Sequence, residues 1–303
     1  MKKPVVWIVI FLGMLFILSL LIAGIFSLSI SSDLEGDGNV AVIAVEGMIA
    51  SGEAGPFGTE YASSDSIVKL IEKADKDPQI KAILFRVNSG GGTAVASEEI
   101  VRAIKRTNKT TVAWIRDVGA SGAYWVSSAT DHIVASPMTI TGSVGVIGSY
   151  IEFAGLLEKY NVTYRRLVAG KYKDIGSPLK EMTAEEELLL QTHLDTIYAY
   201  FLDDVMKNRN LTISEGFDQA QIMGGKDALD LGLIDELGGR YEAVAWIEKE
   251  LNMTVELTPF ERRVSLFDVL SGVMNEKSFY VGQGIGSAML DKTRIVGSVS
   301  VLT

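Results

Sequence analysis

Ser121 stands in the run Gly119-Ala120-Ser121-Gly122-Ala123-Tyr124-Trp125, where small neighbours at a strand-to-helix turn would let its hydroxyl protrude and leave the Gly122 amide free. A hydroxyl with a free N–H beside it suits acyl transfer: the nucleophile attacks a carbonyl and the amide stabilises the developing oxyanion. The same run also reads as the packed start of a small-residue helix. A serine nucleophile needs a base, and the chain holds only two histidines. His132 opens an expected strand beside Asp131, and His193 lies among Gln191, Thr192 and Asp195 in an expected helix, so both read as structural or surface residues. With histidine set aside, lysine is the alternative base, provided that burial or nearby positive charge favours its neutral form.

A second feature is Asn88-Ser89-Gly90-Gly91-Gly92, placed after an apolar strand and before a helix, so that its amides can face an anion or an oxyanion. A nucleotide-binding P-loop would continue into Gly-Lys-Ser/Thr, and no lysine follows these glycines, which argues against a phosphate loop. Two Ser-x-x-Lys strings, Ser66 to Lys69 and Ser177 to Lys180, match the penicillin-recognising motif in letters only, with no Lys-Thr-Gly to accompany them. Cysteine is absent, which excludes disulfides, thiol catalysis and cysteine-held metals. Asn108, Asn161, Asn210 and Asn252 head N-x-S/T sequons, a pattern that chance also produces.

The elements that must position these residues alternate between strand and helix patterns. Strands are expected at Val40 to Val45, Ala82 to Val87, Thr111 to Ile115, His132 to Ala135 and Val162 to Val168, and helices at Ser66 to Ala74 and Ala94 to Thr107. The Thr139 to Ser149 run suits strands and close backbone approach. Thr183 and Glu186 form a capping-box signature for a long helix reaching about Lys207, and a last clear helix covers Tyr241 to Leu251. Strand–turn–helix alternation of this kind predicts an α/β fold. The tail after Pro259 carries an amphipathic stretch, Val264 to Met274, and a glycine-rich one, Gly282 to Gly286; it is expected to be flexible or to dock on a neighbour.

The 303 residues, 48% of them hydrophobic, are enough for a sizeable core. Part of that excess lies in Pro4 to Ile30, which holds no charged residue and as a helix would be about 40 Å long, more than the roughly 30 Å of a bilayer's hydrocarbon. No A-x-A-like cleavage site follows it, so an uncleaved membrane anchor is expected over residues 1–32, ahead of a catalytic domain at 33–255 and a tail at 256–303. Lys2 and Lys3 precede the span and Asp33 and Glu35 follow it, which keeps the N-terminus cytoplasmic and the rest extracytoplasmic by the positive-inside rule. Beyond Lys2 and Lys3 the chain has 26 basic and 38 acidic residues, an acidic balance that argues against nucleic acid as a partner.

Taken together, Asn88-Ser89-x-Gly91-Gly92, Ala120-Ser121-Gly122-x-Tyr124, Thr141-Gly142-Ser143-x-Gly145-Val146 and Lys173-Asp174-Ile175-x-Ser177-Pro178 resemble signal peptide peptidase A, the protease IV type, in its single-domain form. The likeness runs from about Val40 to Leu251. It implies a serine endopeptidase with a serine/lysine dyad: Ser121 as nucleophile, Lys173 as general base, Ser143 as the hydroxyl orienting the lysine, and Gly92 and Gly122 as oxyanion donors, with Gly91 the alternative to Gly92. It implies the fold of Clp protease and crotonase, a stack of strand-strand-helix units, and a homo-oligomeric ring or dome. The implied substrates are apolar peptides, above all cleaved signal peptides, and no cofactor or metal is called for. The chain departs from the family pattern at Gly90, where proline is usual, and at Ala123, where glycine is common. Flanking Lys171 and Asp174 would push Lys173 in opposite directions. Competing readings are a same-fold membrane peptidase acting on stomatin-like partners, a non-catalytic peptide-binding scaffold, and a crotonase-like acyl-CoA enzyme.

Overall fold

The computed structural model describes residues 3–32, 38–52, 61–212 and 216–261. Helix α1 spans Lys3–Ser32, 30 residues or about 45 Å at 1.5 Å per residue. Its described side chains are Trp7 and residues 11–24, nearly all exposed, and no helix among the described residues is long and apolar enough to cross a membrane. α1 belongs to one compact unit, and residues 38–52, 61–212 and 216–260 to another.

The second unit is built on a parallel-dominated sheet. Strand β1, Val40–Glu46, is followed by two short strands, β2 at Met48–Ala50 and β3 at Tyr61–Ser63, which pair in parallel as a small separate sheet. Helix α2, Ser64–Lys76, starts where Ser63 Oγ accepts from Ser66 N–H and buries Ile67, Ile71 and Ala74, one face at helical spacing. Then come β4 at Ala82–Ser89, α3 at Ala94–Arg106, β5 at Thr110–Ala120, α4 at Gly122–Ser128, β6 at His132–Ala135 and β7 at Ile140–Gly142. Helix α5, Ala154–Lys159, is followed by the 26-residue α6, Ala184–Arg209, then by β8 (Ile222–Gly224), α7 (Gly225–Asp230), β9 (Glu236–Leu237), α8 (Arg240–Leu251) and β10 (Leu257–Pro259).

The main sheet runs β10-β1-β4-β5-β6-β9, all parallel. The later part of β5 pairs with β7, and antiparallel β8 pairs with β7. The edge strand β10 continues the sheet past residue 255, where the sequence reading ends the catalytic domain. Parallel strands are covered on both faces, and alternate residues serve the two sides. Ile83, Phe85 and Val87 of β4 join the core under α2, α3 and α4, while Ala82 and Leu84 point to a smaller core closed by Ala243 and Ile247 of α8. This mixed α/β architecture agrees with the likeness to Clp protease and crotonase.

The helix starting at Thr183 is present with both halves of its capping box. The strand expected at Val162 to Val168 is not: these residues are exposed and have no ladder partner among the described residues, so their β-branched content has nothing there to pair with. The stretches Val264 to Met274 and Gly282 to Gly286 lie outside the described residues.

Candidate active site

Ser121 sits between the end of β5 and the start of α4 with φ 54° and ψ −126°, a backbone region that side-chain-bearing residues seldom occupy. Several contacts impose it. The Ser121 N–H donates to Gly142 O at 2.9 Å, tying the turn to the end of β7. The buried Thr141 hydroxyl donates to Gly119 O at 2.7 Å. Upstream, Val87 pairs with Ile115 but Ser89 with Gly119, so residues 116–118 bulge opposite Asn88 alone. The Asn88 carboxamide fills the break, accepting from Val118 N–H at 3.1 Å and donating to Asp117 at 3.3 Å.

The glycine turn after β4 lies directly against this serine. A Cβ on Gly91, at φ 96°, would come within 2.7 Å of Gly122 N and 2.9 Å of Ser121 Cβ. A Cβ on Gly92 would fall 1.8 Å from Ile49 O, and one on Gly122 would fall 2.3 Å from Ser97 Oγ. Both glycines are therefore demanded by close approach. The amides differ in occupation. Gly91 N–H donates to Ser89 Oγ at 3.1 Å, whereas among the described residues those of Gly92 and Gly122 meet no acceptor, the latter because it opens a helix. Two unengaged N–H groups beside a serine hydroxyl can receive an oxyanion. Gly90 is open: a Cβ there meets nothing within 4 Å.

Ser143, at φ 53°, follows the residue whose carbonyl accepts from Ser121 N–H, and its own N–H donates to Gln221 O at 2.7 Å. Ser121, Ser143, Gly92 and Gly122 are thus gathered at one end of the sheet. Lys173 is not with them. Its exposed turn is fastened to the start of α6 by Lys171 and Tyr172, both bonded to Glu185. Phe201, stacked on Trp125 of α4 at 4.7 Å, lies sixteen residues further along that helix, about 24 Å at 1.5 Å per residue. Among the described residues no hydrogen bond joins Lys173 to Ser121 or Ser143, and its turn is held at the opposite part of α6 from the contact with α4.

The histidines stay outside. His132, level with Val112 and so eight residues before the end of β5, is stacked on Trp246 at 4.4 Å with Glu236 3.2 Å away, roughly 25 Å along the sheet from Ser121. His193 is exposed on α6. Ser97 carries part of this arrangement without any motif to announce it, whereas Thr141 opens the Thr141-Gly142-Ser143 run.

A serine held at a strained turn beside two unengaged amides has the geometry for acyl transfer. Residues 103–254 match the model of peptidase family S49. A Methanocaldococcus jannaschii protein provisionally named a protease is 33% identical over 256 residues, covering 82% of this chain and 81% of that one. The chain belongs to peptidase family S49. As an S49 member it is a serine peptidase, a hydrolase. Protease 4 of Haemophilus influenzae is 34% identical over 224 residues, and the chloroplastic serine protease SPPA of Arabidopsis thaliana 32% over 250. The matches cover 70% and 78% of this S49 chain but only 35% and 37% of those longer relatives.

Proposed function

We propose that the protein is a membrane-anchored endopeptidase whose Ser/Lys dyad is completed between copies of the chain, and that it degrades apolar peptides such as cleaved signal peptides. The observation that carries the reading is the placement of Ser121 against the amides of Gly92 and Gly122, with Lys173 displayed at the far end of α6. Lys173 of one copy, unprotonated, takes the Ser121 proton of its neighbour; the alkoxide attacks the peptide carbonyl; the two amides hold the oxyanion; water then releases the acyl group. Ser143, on the strand end next to Ser121, orients the incoming amine.

Association is supported by what the single chain leaves uncovered. Along 147–179, Ile147, Ile151, Tyr160, Val162 and Leu167 are more than half exposed, and Leu188 on α6 is 66% exposed. A monomer seldom leaves so many large apolar side chains exposed along one stretch, and closed symmetric assemblies are the usual way to cover them. Membrane attachment rests on the uncharged Pro4 to Ile30 run, with the catalytic unit extracytoplasmic. The preference for signal peptides rests on the apolar setting, on the family likeness and on relatives such as an Enterococcus faecium protein provisionally named signal peptide peptidase SppA, 32% identical over 228 residues.

The test uses a quenched apolar signal-peptide substrate with full-length protein in detergent. Ser121→Ala and Lys173→Ala should each be inactive. Co-assembled in equal amounts they should regain about a quarter of wild-type activity, the share of sites drawing an intact residue from each neighbour on random mixing. A mixture as dead as its parts would place the dyad within one chain. Activity surviving Lys173→Ala would remove that lysine as the base.

A further inference from the structure

Lys173 is flanked by two charges of opposite sign, and both are engaged elsewhere. Lys171 bonds Glu185, which with Tyr172 holds the Lys171 ammonium above its usual range. Asp174 is gripped by Arg166, whose Nε and Nη2 donate to its two carboxylate oxygens at 2.7 and 2.6 Å. The Asp174 side chain is 13% exposed, so the fork closes over most of the carboxylate. Among the described residues the Lys173 side chain has no hydrogen bond or ion pair, although both sequence neighbours have one. The turn is tight: Lys173 N–H donates to Gly170 O, and Ser177 N–H to Asp174 O, so the Asp174 carboxylate cannot move far from the lysine it follows.

We propose that Arg166 is a positioning residue for the peptidase reaction: by chelating Asp174 it keeps that carboxylate from pairing with Lys173 and leaves the Lys173 amine free to meet the serine. The inference rests on the reading of Lys173 as the base. A bidentate guanidinium–carboxylate pair is geometrically specific and leaves few lone pairs for a second cation. Released, Asp174 would be the nearest anion to Lys173, and an opposite charge within about 4–6 Å favours the charged form of its partner, by 1–3 pH units in the usual case. An ammonium cannot accept the serine proton. The other charged or titratable groups around the turn are Arg165, Lys171, Tyr172 and Glu185; Lys171 and Tyr172 are spent on Glu185.

The experiment is the pH dependence of kcat/KM for the assembled full-length protein, with assembly checked by sedimentation. Arg166→Gln should move the acidic limb upward by about one unit, costing roughly tenfold at neutral pH. Asp174→Asn should move it downward, since Arg166 is then an unpaired cation beside the base. The double variant, a neutral Gln/Asn pair, should return the limb to the wild-type position. A clamp with only a structural role predicts the opposite pattern: lower activity at every pH, an unmoved limb, and no recovery in the double variant. That pattern would overturn the proposal. If Arg166→Gln does not assemble, Asp174→Asn alone decides, because a limb unmoved or raised in that variant also overturns it. Lys173→Ala runs alongside: if it is active, the base assignment fails; if it is dead while the limbs stay put, only the role of Arg166 fails.

Discussion

Ser121 keeps its unusual backbone because neighbours on two segments hold it: on β7 Gly142 takes its N–H and Thr141 fixes the carbonyl two residues back, and Gly91 lets the glycine turn come within contact. Gly122→Ala tests how little room is left. Its new methyl would meet Ser97 Oγ, so we expect a loss of about 1–3 kcal/mol in denaturant unfolding, partly recovered by adding Ser97→Ala. Gly90 should behave in the opposite way. Its φ is outside the left-handed region and its Cβ position is empty, so Gly90→Ala should raise stability by about 0.4–1 kcal/mol through the unfolded chain's entropy. Ser121 and the glycine turn were legible only jointly, through the order and spacing of the motif runs, since the Ser121 run alone also reads as the start of a small-residue helix. The choice of Gly92 over Gly91 was not, since it depends on the Ser89 hydroxyl occupying one amide and leaving the next.

Among the elements, strands and helices with a buried face followed from periodicity: β4 and α3 lie within two residues of expectation, because apolar spacing and the cores on both faces point the same way. The failure at 162–168 has a physical cause. β-Branched residues favour a strand only where a partner edge exists, and this segment has none among the described residues. The start of α6 is secured differently. Glu186 is 4% exposed, and the Lys180 ammonium at 2.7 Å, followed by the Thr183 N–H, draws its carboxyl from an ordinary 4.5 down to about 2. A folded value below the unfolded one means that the contribution is complete above about pH 4.5 and is lost as pH falls towards 2. Thermal melts of wild type and Glu186→Gln should therefore differ at pH 6 and converge between pH 4.5 and 2. At the other end, Phe201 stacks on Trp125, whose indole N–H donates to Asp204 at 2.7 Å. Phe201→Ala should cost about 3–5 kcal/mol and loosen α6 from α4.

At the scale of the whole molecule, the turn carrying Lys173 is anchored near the start of α6, whereas α4, which Ser121 precedes, packs on α6 at Phe201, and Leu188, Leu189 and Tyr200 between them are exposed. Dilution should therefore abolish activity before it unfolds the sheet, an order that activity and circular dichroism on the same dilution series would check; simultaneous loss would argue for a self-sufficient protomer. Residue types alone could not disclose this division, because a sequence records which side chains are present and not which copy of the chain supplies them. The exposed stretch of α6 has one more consequence. In the proposed assembly its rise sets how far the amine is carried towards the next serine, which makes it a length gauge between copies. Removing four residues from its outer half would draw Lys173 back by about 6 Å and turn it by roughly 40° about the axis. That change would silence the peptidase with every one of its chemical groups still in place.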